Sequence, residues 1–141
     1  MRISWRFITG AAALNAELTQ KWQLYTLAPA MQEARVIQWD TQEFAEVRPG
    51  IFGATIDTPQ LTATFYRYAP GSSWEEHQHP EDQITTVLRG EIDFVVDGAL
   101  VTLHEGELAA LPGGTPHSAN VGASGAETLN VFTSRSKRVD D

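Results

Sequence analysis

Two glycine-bounded stretches constrain this chain more than anything else in it: residues 71–90, GSSWEEHQHPEDQITTVLRG, and residues 106–120, GELAALPGGTPHSAN. In the first, His77 and His79 stand two apart and Gln83 shares their parity, so on an extended backbone all three side chains point to one side. The second stretch brings His117 in after a turn rich in Gly and Pro. Three imidazoles and one side-chain oxygen suit a divalent transition metal, with Zn, Ni, Mn, Co and Fe all compatible. His77, His79, Gln83 and His117 are therefore expected to bind one such ion. The remaining histidine, His104, alternates out of phase with Val101 and Leu103 and is expected on a solvated strand face.

From Trp39 onward the chain reads as short strands broken by turns at Pro49-Gly50, Pro70-Gly71, Asp97-Gly98, Glu105-Gly106 and Pro112-Gly113-Gly114. The β-branched and aromatic residues fall at 62–68, 83–88, 91–96, 99–103 and 127–133, where strands are expected. Asp97-Gly98 between two apolar runs predicts a tight hairpin. The fold class that follows is all-β, a barrel of two packed sheets, that is, a double-stranded β-helix or jelly roll. A chain of 141 residues encloses one core of ordinary size, so residues 39–141 are read as a single barrel domain behind an N-terminal extension, 1–38. Within the extension, a helix over about 15–24 or a strand is expected.

Ten basic residues against eighteen acidic give a net charge of −8, which repels phosphate backbones and argues against nucleic acid or an anionic membrane as partner. A small-molecule substrate is the better fit. The absence of cysteine rules out disulfides and thiolate ligands, in keeping with a reducing cytoplasm, where the protein is expected to reside. The N-terminal apolar stretch is interrupted by Thr9 and Gly10 and is too short to span a bilayer, so it is not read as a secretory signal.

The motifs resemble those of the cupin superfamily, G-x5-H-x-H-x3-E-x6-G followed by G-x5-P-x-G-x2-H. Gly71, His77, His79 and Gly90 match the first, with Gln83 in the glutamate position; Gly106, Pro112, Gly114 and His117 match the second. Asn120 stands one place from the asparagine usual after the second motif. His-x-His-Pro-x-x-Gln-Ile-Thr, with Val131-Phe132 and Arg135 at the last strand, is similar to two groups of small cupins: those around the pectin-degradation protein KdgF, which convert unsaturated uronates, and the zinc-dependent polyketide cyclases. The resemblance implies a jelly-roll fold, a bound metal and non-redox chemistry. The first group carries an Asp-x-Phe pair and then an arginine on its last strand, the aspartate being its proton carrier. Here those positions hold Asn130 and Phe132, with Arg135 close to the arginine, and an asparagine relays no proton at neutral pH.

Glutamine in place of glutamate leaves the full dipositive charge on the ion, which favours Lewis-acid over redox chemistry. The expected function is a metal-dependent isomerase, cyclase or lyase acting on a small oxygenated substrate, the alternatives being a dioxygenase and a non-catalytic binding module. Thr85 and Val87 share the parity of Gln83 and should line the barrel below the metal, while either Tyr66 and Tyr68 or Phe65 and Arg67 face in. Arg67, Tyr68, Asn130 and Arg135 are the candidate catalytic residues. Glu75, Glu76, Glu81 and Asp82 are expected at the barrel mouth, most of them solvated. A barrel over about 40–135 leaves Trp5, Phe7, Ile8, Trp22, Leu24 and Tyr25 unplaced, and each large apolar side chain left in water forgoes roughly 1.5–3 kcal/mol. A homodimer in which residues 1–50 pack on a partner is expected, with an intramolecular cap as the rival.

Overall fold

In the computed structural model the described residues are 33–133. The helix expected over 15–24, most of the N-terminal extension and Arg135 lie outside them. Among the described residues, nine strands follow a short 3-10 turn at Trp39–Thr41: β1 Ala45–Arg48, β2 Ile51–Asp57, β3 Leu61–Tyr68, β4 Ser73–His77, β5 Gln83–Val96, β6 Ala99–His104, β7 Leu108–Leu111, β8 His117–Asn120 and β9 Ala126–Thr133. No helix among the described residues is long and apolar enough to cross a membrane.

The strands form two antiparallel layers. The larger runs β1-β2-β3-β9-β5-β7 and the smaller β6-β5-β8-β4, so β5 belongs to both. What the turn-and-propensity pattern read as two strands, 83–88 and 91–96, is this one 14-residue strand, which passes between layers at Gly90. Gly90 has φ 75, and a Cβ there would stand 2.5 Å from the Gly125 carbonyl oxygen, so only glycine lets the strand change sheets against β9. Asp97 and Gly98, both at positive φ, form the expected hairpin turn, pairing Val96 with Ala99.

Alternation places the core between the layers. Ile51, Tyr66, Tyr68, Val87, Ile92, Phe94, Leu103 and Leu111 are buried there, with Ile51 and Ile92 at 0% exposure. Leu103 is buried and His104 exposed as expected, whereas Val101, on the same strand and face as Leu103, is 47% exposed. The register of β3 resolves the open alternative: Thr64, Tyr66 and Tyr68 point inward, and Phe65 and Arg67 point out.

Candidate metal centre

Strand pairing brings the distant histidines together. His77 ends β4 and His117 opens β8, and the two are direct antiparallel partners. His79 lies in the loop from β4 to β5, and Gln83 is the first residue of β5. That loop is tied to the one before His117: the Gly114 N–H donates to the His79 carbonyl at 2.7 Å, and the Gly113 N–H to Asp82 Oδ1 at 2.8 Å. As a result, one ring nitrogen from each of His77, His79 and His117 falls within 4.8 Å of the others.

Backbone carbonyls fix how each ring presents itself. Nδ1 of His77 lies 2.9 Å from the Glu75 oxygen, Nδ1 of His79 3.1 Å from that of Glu81, and Nδ1 of His117 2.8 Å from that of Thr115. A carbonyl only accepts, so each Nδ1 carries the hydrogen and each Nε2 presents a lone pair. The Nε2 of His117 is buried without a hydrogen-bond partner, which is costly for a polar atom and would be relieved by a bound ion. Gln83 is oriented too: its Nε2 donates to Thr85 Oγ1 at 2.7 Å, which turns Oε1 to within 2.8 Å of His79 Nε2. Without an ion this contact is a hydrogen bond in which Nε2–H donates to the amide oxygen; with that proton gone, the two lone pairs suit a shared cation. Donors held about 2.1 Å from one ion at right angles stand about 3 Å apart, so the spacing suits a shared ligation point. The donor set therefore fits a divalent metal.

Burial tunes the donors toward that use. His77 and His117 are pushed below the ordinary imidazole value, chiefly by desolvation, against the opposing effect of their carbonyl hydrogen bonds. Phe132 meets the His79 ring edge-on at 5.6 Å, and Phe94 stacks on His117 at 5.8 Å. The carboxylate of Glu81 lies 3.3 Å from His79 Nδ1 with its side chain only 3% exposed, a partner that holds the ring in place. Glu75, Glu76 and Asp82 are exposed as expected, but Glu81 is not. Its parity with Gln83, two residues on, was the available signal.

The histidines sit in a cavity of about 290 Å³, which Tyr68 and Asn130 also line. Burial, reinforced by the neighbouring Tyr66, holds the Tyr68 hydroxyl well above its ordinary pKa despite a bond with Thr128, so it is a hydrogen-bond donor and not a base. Asn130 is 6% exposed and its Oδ1 accepts from Thr128 Oγ1 at 3.1 Å. Thr85 and Val87 are buried beneath Gln83, each at 1%. Arg67 is not in the cavity. The register that turns Tyr66 and Tyr68 inward puts it on the outer face, where its Nε donates to Glu127 at 3.1 Å and its guanidinium covers Phe44. Arg48, on β1, lines the cavity instead, 4.7 Å above the Trp74 ring. Strand β1 is too short and polar to stand out in the sequence, so Arg48 went unnoticed there. Among the described lining residues it is the one cation, and none of them is a carboxylate.

A barrel of two antiparallel layers with converging imidazoles at its mouth defines the cupin class. The cupin-domain family model matches residues 64–132, and the chain is a small cupin-domain protein. It is similar to the solved structure of KdgF from Halomonas sp., at 25% identity over 73% of this chain and 96% of that one, with a TM-score of 0.68. An RmlC-like cupin from Shewanella frigidimarina has 22% identity, covers 77% of this chain and 100% of that one, and has a TM-score of 0.66. The polyketide cyclase RemF from Streptomyces resistomycificus has 21% identity, covers 72% and 80% respectively, and has a TM-score of 0.65. No curated protein sequence matches the chain significantly.

Proposed function

We propose that the protein is a metal-dependent cupin that acts on a small, oxygenated, anionic substrate by non-redox chemistry of the isomerase, cyclase or lyase type. The observation that carries this reading is the set of three Nε2 lone pairs, each locked by a carbonyl at Nδ1, aimed at one point beside the Gln83 oxygen. His77, His79, Gln83 and His117 would hold the ion. When bound, a divalent ion supplies Lewis acidity, and the neutral glutamine leaves its charge undiminished. Arg48 and the protonated Tyr68 hydroxyl then orient the substrate, the guanidinium facing its anionic group and the hydroxyl donating to an oxygen. Phe94 and Phe132 exclude water from the ring side. The name of RemF as a polyketide cyclase is in keeping with this class.

One observation favours a second reading, a binding module without turnover. Asn130 occupies the last-strand position facing the cavity, where an amide neither gives nor takes a proton, and no carboxylate among the described residues lines the cavity. Elemental analysis of the full-length protein tests the shared core of both readings. One equivalent of a divalent metal in the parent and its loss in His77→Ala and His117→Ala are expected; parental occupancy in either variant refutes the ligand set. Oxygen uptake by iron-loaded protein would refute the non-redox reading.

A further inference from the structure

We propose that residues 1–32 dock on the outer face of the larger sheet and cap the barrel from which they emerge. Strand register lines up Ile56, Ala63, Val131, Ile84 and Ala110 in one cross-strand row on that face. The next row holds Phe65, Leu129 and Leu108, with Thr86 between the two leucines. Ile84 is 45% exposed, Leu108 56%, and Leu61, opposite Thr133 on the same face, 48%, so three of the six exposed large apolar residues of the described chain lie on one surface. With strands about 4.8 Å apart, the five strands carry an apolar band roughly 19 Å wide, of a size that marks an interaction surface.

Three observations select the occupant. The chain already lies on this face where it enters the barrel: Trp39 stacks on Phe65 at 5.8 Å, Arg89 covers Trp39 at 5.1 Å, and Phe44 lies under Arg67 at 4.0 Å. Immediately upstream are 32 residues containing Trp5, Phe7, Trp22 and Tyr25, with a reach of about 100 Å if extended, ample to cross the band. Charge is also complementary. Residues 1–32 carry three cations, Arg2, Arg6 and Lys21, against one anion, Glu17, which leaves the rest of the chain with seven cations against seventeen anions. A segment of net positive charge is drawn to that acidic body, whereas a second acidic barrel on the same face is repelled.

The chain has no cysteine, so a single introduced thiol reports the face directly. In the full-length protein the Ile84→Cys thiol should react slowly with a bulky maleimide. Adding Trp5→Ser, Phe7→Ser, Trp22→Ser and Tyr25→Ser should speed it about 10-fold or more, as expected when a protecting segment is released. Val87→Cys, 1% exposed inside the barrel, should stay slow to label in both backgrounds and confirms that the barrel is intact, while Leu100→Cys, on the other sheet at 66% exposure, gives the rate of an uncovered thiol. Fast labelling of Ile84→Cys in the unaltered background refutes the cap, as does slow labelling that survives the four substitutions. Protection that falls on dilution, together with a dimer mass by light scattering, also overturns the proposal and assigns the face to a second copy.

Discussion

Replacing Gly113 by alanine would place a Cβ 2.2 Å from the Pro80 carbonyl oxygen and 2.8 Å from its carbon. An ordinary carbon–oxygen contact is about 3.4 Å, so the two loops must part by about 1 Å, and the obstacle is backbone, which has no rotamer to change. Pro80 adjoins His79, and Gly113 lies in the turn that delivers His117. The same separation strains the hydrogen bonds from Gly113 to Asp82 and from Gly114 to the His79 carbonyl. Overpacking of this kind costs about 1–3 kcal/mol, and a domain of about 100 residues loses roughly 4–8 °C in Tm per kcal/mol. Metal–ligand distances tolerate only about 0.2 Å, so metal affinity should fall at least about 10-fold. Isothermal titration with zinc and a thermal melt of chelated protein measure the two effects. Gly122→Ala is the control, since nothing lies within 4 Å of its Cβ position. If Gly113→Ala binds zinc and melts like Gly122→Ala, the close approach of the two ligand-bearing loops is refuted.

Gln83→Glu adds a carboxylate beside His79 and should tighten metal binding, while Gln83→Ala should weaken it less than His117→Ala does, because water replaces a neutral oxygen; equal affinities across the Gln83 series would remove Gln83 from the site. The metal-free protein should lose stability in acid. His77 and His117 titrate below their ordinary value of 6.5 in the fold, so above 6.5 their contribution is fully present, and as the pH drops the unfolded chain takes up protons that the folded one resists. The urea midpoint of chelated protein should therefore fall between about pH 7 and pH 5.5, and His117→Ala should flatten that fall; a slope unchanged by the substitution contradicts it.

The converging histidines were legible because two local regularities carry them. Strand parity puts His77 and Gln83 on one side, and the glycine and proline turns before His117 fix where a strand begins. The all-β class followed in the same way, from turn residues spaced along a chain of β-branched and aromatic runs. Local pattern also marked Tyr66 and Tyr68 as one face and Phe65 and Arg67 as the other, but which face looks inward depends on which neighbours cover it. That is decided only when β3 pairs with β2 and β9. Arg48 and Glu81 illustrate the same limit. Each is an ordinary charged residue in sequence, and one becomes a cavity wall and the other a buried partner of His79 through contacts made by segments distant in the chain or folded back upon it. Continuity of β5 through Gly90 was hidden for a related reason: a glycine between two apolar runs is a turn by local chemistry, and it becomes a crossing between sheets because Gly125 leaves no room for a side chain. The sequence by itself thus determined the donor atoms and the kind of sheet that holds them, since both depend on neighbours a few residues apart. The tertiary structure alone decided which face is the cavity and which charges meet it, because those depend on pairing across tens of residues.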